Sequence, residues 1–112
     1  MLAGRGAVIG VVCDQWMLTP GYKPGESPRV ASLAALADQI DHICQVTGSV
    51  RHAAIGSDLD GGFGNEQSPS DLETIADLCK LEPILRGRGY SDADLDAVFF
   101  DNWLRFFLKH LP

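Results

Sequence analysis

The sequence predicts an α/β fold in which short parallel strands alternate with helices. Two apolar runs of strand length, "GAVIGVV" over 6–12 and "HAAIGS" over 52–57, flank a segment with helical periodicity. The first run is continuously apolar, which is typical of a strand buried on both faces of a parallel sheet. The order strand, helix, strand then predicts parallel strands joined by a right-handed crossover.

The elements follow in order from local signals. Prolines at 20, 24 and 28 predict a loop after the first strand. Ser32 is predicted to cap a helix that ends near Gly48. The apolar face predicted for this helix comprises Leu33, Leu36, Ala37, Ile40, Ile43 and Cys44.

Two further helices are predicted beyond the second strand. "SPSD" predicts Ser68 as N-cap, Pro69 as the first helical residue and Asp71 as the partner in a capping box. Pro83 is predicted to kink or end that helix, and Ser91 to start the last one. The predicted buried positions of the first are Leu72, Ile75, Ala76, Cys79, Ile84 and Leu85, and the last helix carries Leu95, Val98, Phe99, Trp103, Phe106 and Phe107.

Composition bounds the class of protein. A chain of 112 residues with 46% apolar residues suits one globular domain over 1–112 and no second domain. A net charge of −6 argues against nucleic acid and anionic membranes as partners. Three cysteines without a C-x-x-C pair indicate a reducing compartment, with Cys44 and Cys79 as small buried apolar residues. Since no stretch approaches the ~20 apolar residues of a membrane span, we expect a soluble, cytoplasmic protein.

The stretch "HAAIGSDLDGGFG", residues 52–64, carries the main candidate for chemistry. A calcium loop starting at Asp58 fails, because Gly62, Phe63 and Pro69 fall where its ligands and glycine belong. A polar turn remains open, since Asp and Gly are common turn formers. A carboxylate at the C-terminal end of a barrel strand would instead be a candidate general base or metal partner.

Other residues offer less. Trp16 and Tyr22, in the loop after the first strand, are predicted to face the same end as Asp58, where they either line a pocket or pack the loop. The three histidines form no H-x-D, H-x-H or H-E-x-x-H spacing, so no metal ligand is predicted within the chain. Two parallel strands make a poor independent sheet, which indicates a piece of something larger.

Four stretches occur together and in order, namely "ADQIDHICQVTGSVRHAAIGSDLDGGFG", "SPSDLETIADL", "RGYSDADLDAV" and "NWLRF". Together they resemble the C-terminal part of the membrane (renal) dipeptidase family of the amidohydrolase superfamily. The resemblance implies a TIM-type (β/α)₈ barrel, of which this chain holds about the last two βα units and a terminal helix. It implies two zinc ions and a dipeptide substrate. Asp58 would move the proton between attacking water and leaving amine, and Asp60 would hold the loop at the pocket wall.

The chain lacks the metal and substrate ligands that the same resemblance implies. The family's H-x-D pair, bridging glutamate and two further histidines have no counterpart in these 112 residues, and neither has the arginine expected for the substrate carboxylate. We therefore expect a chain that is inactive alone, as a C-terminal segment of a zinc metallodipeptidase. The alternatives are a non-catalytic module that self-associates or docks on an N-terminal partner chain through its sheet edge, and a product with no stable fold.

Overall fold

The structure is a computed structural model that describes residues 1–112. Its sheet has two strands, β1 (Ile9–Val12) and β2 (Ala53–Ser57), which pair in parallel with Ile9 opposite Ala53. The predicted parallel α/β arrangement is thus confirmed at the level of a small two-stranded sheet. β1 is shorter than predicted, because Ala3–Arg5 form a 3₁₀ turn that ends at Gly6 in the left-handed region.

The two strands approach each other unusually closely near their middle. A Cβ added to Gly10 would lie 2.8 Å from the Gly56 Cα and 3.1 Å from Cζ2 of Trp103. Glycine is therefore required here by space rather than by backbone conformation. The Trp103 indole N–H donates to the Ile55 carbonyl at 2.9 Å, which fixes the last helix against β2.

The crossover helix α2 (Leu33–Thr47) begins and ends where the sequence predicts. The Ser32 side chain accepts from the Ala34 N–H, and Gly48 closes the helix with φ 71°. Leu33, Leu36, Ala37 and Ile40 are buried, whereas Ile43 and Cys44 are only half-buried. A short helix that the sequence did not predict, α1 (Gln15–Leu18), precedes the proline-rich loop and is capped by Asp14.

The prediction of a helix capped by Ser68 is wrong. The Ser68 hydroxyl instead donates to the Asn65 carbonyl at 2.9 Å, and Asp71 accepts from the Leu33 N–H at 2.9 Å, capping α2 from a distance. A long-range partner has thus replaced the local capping box. The next helical segment is a 3₁₀ helix over Ile75–Lys80, whose capping box joins Thr74 and Asp77.

The burial predicted for this segment is also corrected. Ile75, Ala76 and Cys79 are exposed, because a 3₁₀ helix does not present the face that α-helical spacing would. α3 (Leu81–Gly87) follows and buries Leu85, as predicted. Pro83 lies in its first turn, where a backbone N–H has no helical partner, so the helix neither kinks nor ends there.

The C-terminal helical segment runs from α4 (Asp92–Asp96) through a π-helical turn (Ala97–Asp101) into α5 (Asn102–His110). Ser91 caps it, as predicted, in a capping box with Asp94. The helix continues through "FFDN", whose first three residues lie in the π turn and whose asparagine begins α5. Leu95 and Val98 are buried, whereas Phe99, Trp103 and Phe106 are half-buried and Phe107 is exposed.

One hydrophobic core lies between the sheet and the helices. It comprises Val11, Cys13, Leu33, Leu36, Ala37, Ile40, Ala53, Leu72, Leu81, Leu85, Leu95 and Val98. The core positions the carboxyl ends of both strands at one edge of the molecule.

Candidate active site at the carboxyl end of the sheet

Two aspartates follow the two strands at the same edge of the sheet. The Cys13 N–H donates to the Ser57 carbonyl at 2.8 Å, and this is the last bond of the parallel ladder. Asp14 and Asp58 come directly after these two residues. Asp14 is buried and accepts from the Trp16 N–H at 2.9 Å, so its carboxylate is used in capping α1.

Asp58 differs from Asp14 because its carboxylate has no partner within the chain. It is exposed, and no hydrogen bond or ion pair reaches its side chain. Its backbone N–H donates to the Gly56 carbonyl at 2.6 Å, and its carbonyl accepts from the Gly61 N–H at 3.0 Å. The main chain therefore holds Asp58 while its carboxylate stays available for a proton or a ligand.

The backbone around Asp58 is conformationally strained. Ser57, Asp58 and Asp60 have φ values of 40°, 59° and 64°, and they are the only non-glycine residues with positive φ. The left-handed region is unfavourable for residues with a Cβ, although Asp tolerates it better than most. Strain of this kind gathers at functional sites, where the surrounding structure holds it.

Gly61 gives the Asp58 carboxylate its space. A Cβ on Gly61 would lie 2.3 Å from Oδ1 of Asp58 and 2.8 Å from its carbonyl oxygen. No real Cβ contact is that short, so any larger residue would displace the carboxylate. One of the glycines after the strand is thus explained by close approach to the aspartate.

A cavity of about 350 Å³ opens beside this loop. Its apolar walls come from Leu59, Phe63, Leu72 and Ile75, and its polar groups include Asp60, Asn65 and Glu73. Hydrogen bonds from Asn65 and Arg29 hold the pKa of Glu73 below its ordinary value, so that carboxylate stays ionised. The cavity can accept a small ligand that carries both an apolar portion and a hydrogen-bonding or cationic group.

Two long-range polar residues, neither of them predicted, hold the cavity wall. The buried Gln15 amide donates to the Ser68 carbonyl of the wall at 3.3 Å and to the Ala31 carbonyl at 2.7 Å, and it accepts from the Ala31 N–H at 3.0 Å. Arg29 donates from Nε to the Ser68 carbonyl at 2.9 Å and pairs with Glu73 at 3.0 Å. No local sequence signal marks either residue, because their partners lie far along the chain.

The other predicted site residues fall in different environments. Trp16 is 65% exposed on α1, whereas Tyr22 is buried and its hydroxyl donates to the Glu66 carbonyl at 3.0 Å. Tyr22 thereby ties the proline-rich loop to the loop that follows β2. Asp60 is exposed and contributes to the cavity wall. The structure thus brings Asp60 to the cavity, and leaves Tyr22 as a link between loops.

The side chains of the chain do not fit the zinc pair that the resemblance implies. No group of three or more His, Cys, Asp or Glu side chains could hold a metal ion. The ring of His52 is directed elsewhere, since its Nδ1 lies 2.8 Å from the Ala7 carbonyl and donates to it. We therefore assign no chemical step of this chain to a metal.

The family of the chain is decided by comparison with known proteins. The model of the membrane dipeptidase family, peptidase family M19, matches residues 1–110. The chain belongs to the membrane dipeptidase family. The resemblance given by the "IGSDLDG" block and the sequence around it is thereby confirmed, and the family to which the chain belongs is one of dipeptide hydrolases.

Several known proteins are similar to the chain. A Klebsiella pneumoniae protein named for its position in the pqqA 5′ region is 32% identical over 101 residues, 89% of this chain and 34% of that protein. The dipeptidase aclJ of Aspergillus oryzae is 36% identical over 88 residues, 79% of this chain and 20% of its own length. A Schizosaccharomyces pombe dipeptidase, C3A11.10c, is 35% identical over 78 residues, which are 70% of this chain and 18% of that protein.

The chain therefore spans about a third or less of the length of these relatives. No helix in the structure combines the length and the apolar character needed to cross a membrane.

Proposed function

We propose that residues 1–112 form the last two strand–helix units of a single (β/α)₈ dipeptidase barrel, and that the complete barrel hydrolyses dipeptides. The family match and the parallel pairing of β1 with β2 support this assignment. The observation that carries it is the unpaired Asp58, which lies just beyond the carboxyl end of β2 in the only left-handed non-glycine stretch. In barrels of this type, catalytic groups lie at that end of the strands.

Asp58 would act in proton transfer. As a water oxygen adds to the amide carbon, the carboxylate takes the water proton and then passes it to the amine nitrogen when the C–N bond breaks. An exposed carboxylate without an internal partner suits this role, because no hydrogen bond must be broken before it accepts the proton. Gly61 supports the role by leaving the carboxylate room beside the turn.

In this proposal, zinc would be bound by parts of the barrel outside residues 1–112. Because these 112 residues contain no suitable ligand group, we propose that the metal ligands lie in polypeptide outside them. The isolated chain should then neither bind zinc stoichiometrically nor hydrolyse dipeptides. The chemistry that zinc supplies when bound is polarisation of the scissile carbonyl and activation of water.

A second candidate function is assembly without catalysis. A sheet of two strands leaves hydrogen-bonding edges, and Trp16 and Met17 are 65% and 58% exposed near its carboxyl end. Exposed apolar residues beside an open sheet mark a surface that another polypeptide covers. We propose that an N-terminal partner chain covers this surface. Residues 1–112 would then serve as a docking module in which Asp58 takes no part in catalysis.

A chimera tests the proposal. The chain would replace its matching 88 residues in the Aspergillus dipeptidase, and hydrolysis of a dipeptide would be measured with zinc present. We expect hydrolysis by the chimera and none by the isolated chain. A folded, zinc-loaded chimera without activity would reject catalysis and leave the assembly function. Turnover by the isolated chain would contradict the assignment of the metal ligands to other polypeptide.

A further inference from the structure

A second cavity lies at the opposite end of the strands from Asp58. Its volume is about 200 Å³, smaller than the ~300–1,000 Å³ of most drug-sized sites. Arg51 and His52 directly precede β2, and Gly6 lies three residues before the start of β1. The basic cavity is lined by Gly6, Arg51, His52, Arg105, Phe106, Lys109 and His110.

Every ionisable side chain of the basic cavity is basic. This is unexpected in a chain with fifteen acidic and nine basic residues, where carboxylates are the more abundant partners. Five of the nine lysines and arginines form ion pairs, namely Lys23, Arg29, Lys80, Arg86 and Arg88. Three of the remaining four line this one cavity. The positive charge here is therefore concentrated and not neutralised by the protein.

Arg105 is held in place by neutral groups alone. Its Nη1 donates to Oδ1 of Asn102 at 3.0 Å, and its Nη2 donates to the Arg51 carbonyl at 2.6 Å. Asn102 is itself fully buried and donates to the Val50 and Ala53 carbonyls, both at 2.8 Å. A guanidinium has five N–H groups, so three remain for a ligand. The two bonds already made fix the orientation of the Arg105 guanidinium before a ligand binds.

The electrostatic environment of Arg105 agrees with this geometry. Burial and the neighbouring charge of Arg51 lower the pKa of the Arg105 guanidinium below its ordinary value, and Asp101 offsets only part of that shift. Asp101 is exposed and forms no ion pair with either arginine. A bound anion would relieve the repulsion between the two cations.

We propose that the basic cavity binds a phosphate-type oxyanion. Arg51, Arg105 and Lys109 would supply the charge, and the planar guanidinium groups would donate paired N–H bonds to its oxygens. The inference does not depend on Asp58, because the basic cavity lies at the other end of the strands.

The first test is a titration of the isotopically labelled 112-residue chain with inorganic phosphate, followed by amide nuclear magnetic resonance. Ionic strength is held constant with sodium chloride, since exposed charges are screened by salt. We expect saturable shifts at Gly6, Arg51 and Lys109. Equal shifts with acetate or chloride, or no saturable shift in phosphate, would overturn the proposal.

Matched variants locate the site. Arg51→Gln and Lys109→Gln remove charge without removing the hydrogen bonds that hold Arg105, because Arg51 contributes there through its carbonyl. Each should weaken phosphate binding about fivefold, the upper range for a partly exposed ion pair, and both together about 25-fold. Arg5→Gln is the control, since Arg5 is the fourth unpaired cation and does not line the cavity. Equal weakening by Arg5→Gln would refute a localised site.

A vesicle assay identifies the source of the oxyanion. Co-sedimentation with phosphatidic acid vesicles but not phosphatidylcholine vesicles, reduced by Arg51→Gln, would assign it to a lipid headgroup. Saturable phosphate shifts without co-sedimentation would assign it to a soluble phosphate compound. Either vesicle result, combined with saturable phosphate shifts, supports the oxyanion site, and the absence of those shifts rejects it.

Discussion

Replacing Asn102 by alanine should reveal how strongly one buried side chain joins the last helix to the sheet. The Asn102 side chain is fully buried where the π-helical turn meets α5. Its amide donates to the Val50 and Ala53 carbonyls, both at 2.8 Å, and its oxygen accepts from Arg105 at 3.0 Å. Alanine removes all three bonds and leaves the backbone acceptors in place.

The expected loss follows from what happens to each acceptor. The bond to Ala53 is buried, so its carbonyl loses a partner that water cannot replace, whereas Val50 is partly open to solvent. A buried polar group left without a partner costs about 1–3 kcal/mol, and a solvated one costs less. We therefore expect Asn102→Ala to lower the free energy of unfolding by about 2–4 kcal/mol. That is a large fraction of the ~5–15 kcal/mol typical of a folded domain.

Urea denaturation followed by far-ultraviolet circular dichroism measures this change. The midpoint should fall while the slope of unfolding free energy against urea stays the same, because the folded surface is unchanged. Asp101→Ala is the matched control, since Asp101 is the exposed neighbour on the same helix and should change stability by less than about 0.5 kcal/mol. A loss below about 1 kcal/mol for Asn102→Ala would refute the reasoning from buried acceptors.

Three further predictions concern the site, an acid-sensitive cap and the thiols. Gly61→Ala places a Cβ 2.3 Å from Oδ1 of Asp58, so hydrolysis by the chimera should fall about 100-fold, as expected for a misplaced reacting group. Hydrogen bonds from a lysine ammonium and two backbone N–H groups lower the pKa of Asp77 from 3.8 to about 2. Its contribution to stability is therefore present above about pH 4 and lost as the pH falls towards 2, so the stability difference from Asp77→Asn should shrink over that window. Burial raises the pKa of the Cys13 thiol to about 11, so the exposed Cys79 should react first with a disulfide reagent and Cys13 only on unfolding.

Each of these predictions has its own check. Gly87→Ala adds a Cβ in open space at the end of α3, and it should leave hydrolysis by the chimera unchanged. Lys80→Gln should raise the pH at which the Asp77 contribution disappears, because Lys80 is the first cause of the lowered pKa. Mass spectrometry of labelled peptides would contradict the thiol order if Cys13 were modified in the folded chain.

The elements that the sequence predicted correctly depend on local signals. Ser32 and Ser91 cap helices through bonds to residues two and three positions away, and Gly48 ends α2 in a left-handed conformation. The continuous apolar runs predicted the parallel pair because the strands are separated by one crossover helix. For the two serine caps, the bonded partner lies within three residues of the signal.

The errors arise where a distant partner replaces a local one. Asp71 matches a capping box in sequence, yet it accepts from the Leu33 N–H, thirty-eight residues away. Gln15 and Arg29, which hold the cavity wall, bond to backbone groups that only the folded chain brings near. The "SDLDG" stretch indicated Asp58, but the strain around it and the space left by Gly61 arise only from the folded backbone.

The charge of the chain illustrates the same limit. A net charge of −6 argues against anionic partners for the molecule as a whole. The structure nevertheless gathers Arg51, Arg105 and Lys109 around one cavity without a carboxylate. Residues from both ends of the chain contribute to that cavity. The net charge of the whole sequence therefore does not reveal this local excess of positive charge.

The most direct test of the central claim is Asp58→Asn in the active chimera, with the dipeptide turnover number as the measurement. Loss of proton transfer should lower it about 10²–10⁴-fold while the metal content stays the same. Asp96→Asn serves as the control, because Asp96 is exposed on α4 and has no hydrogen bond or ion pair through its carboxylate. Turnover by Asp58→Asn equal to that of Asp96→Asn would contradict the claim that the strained end of β2 carries a reacting group.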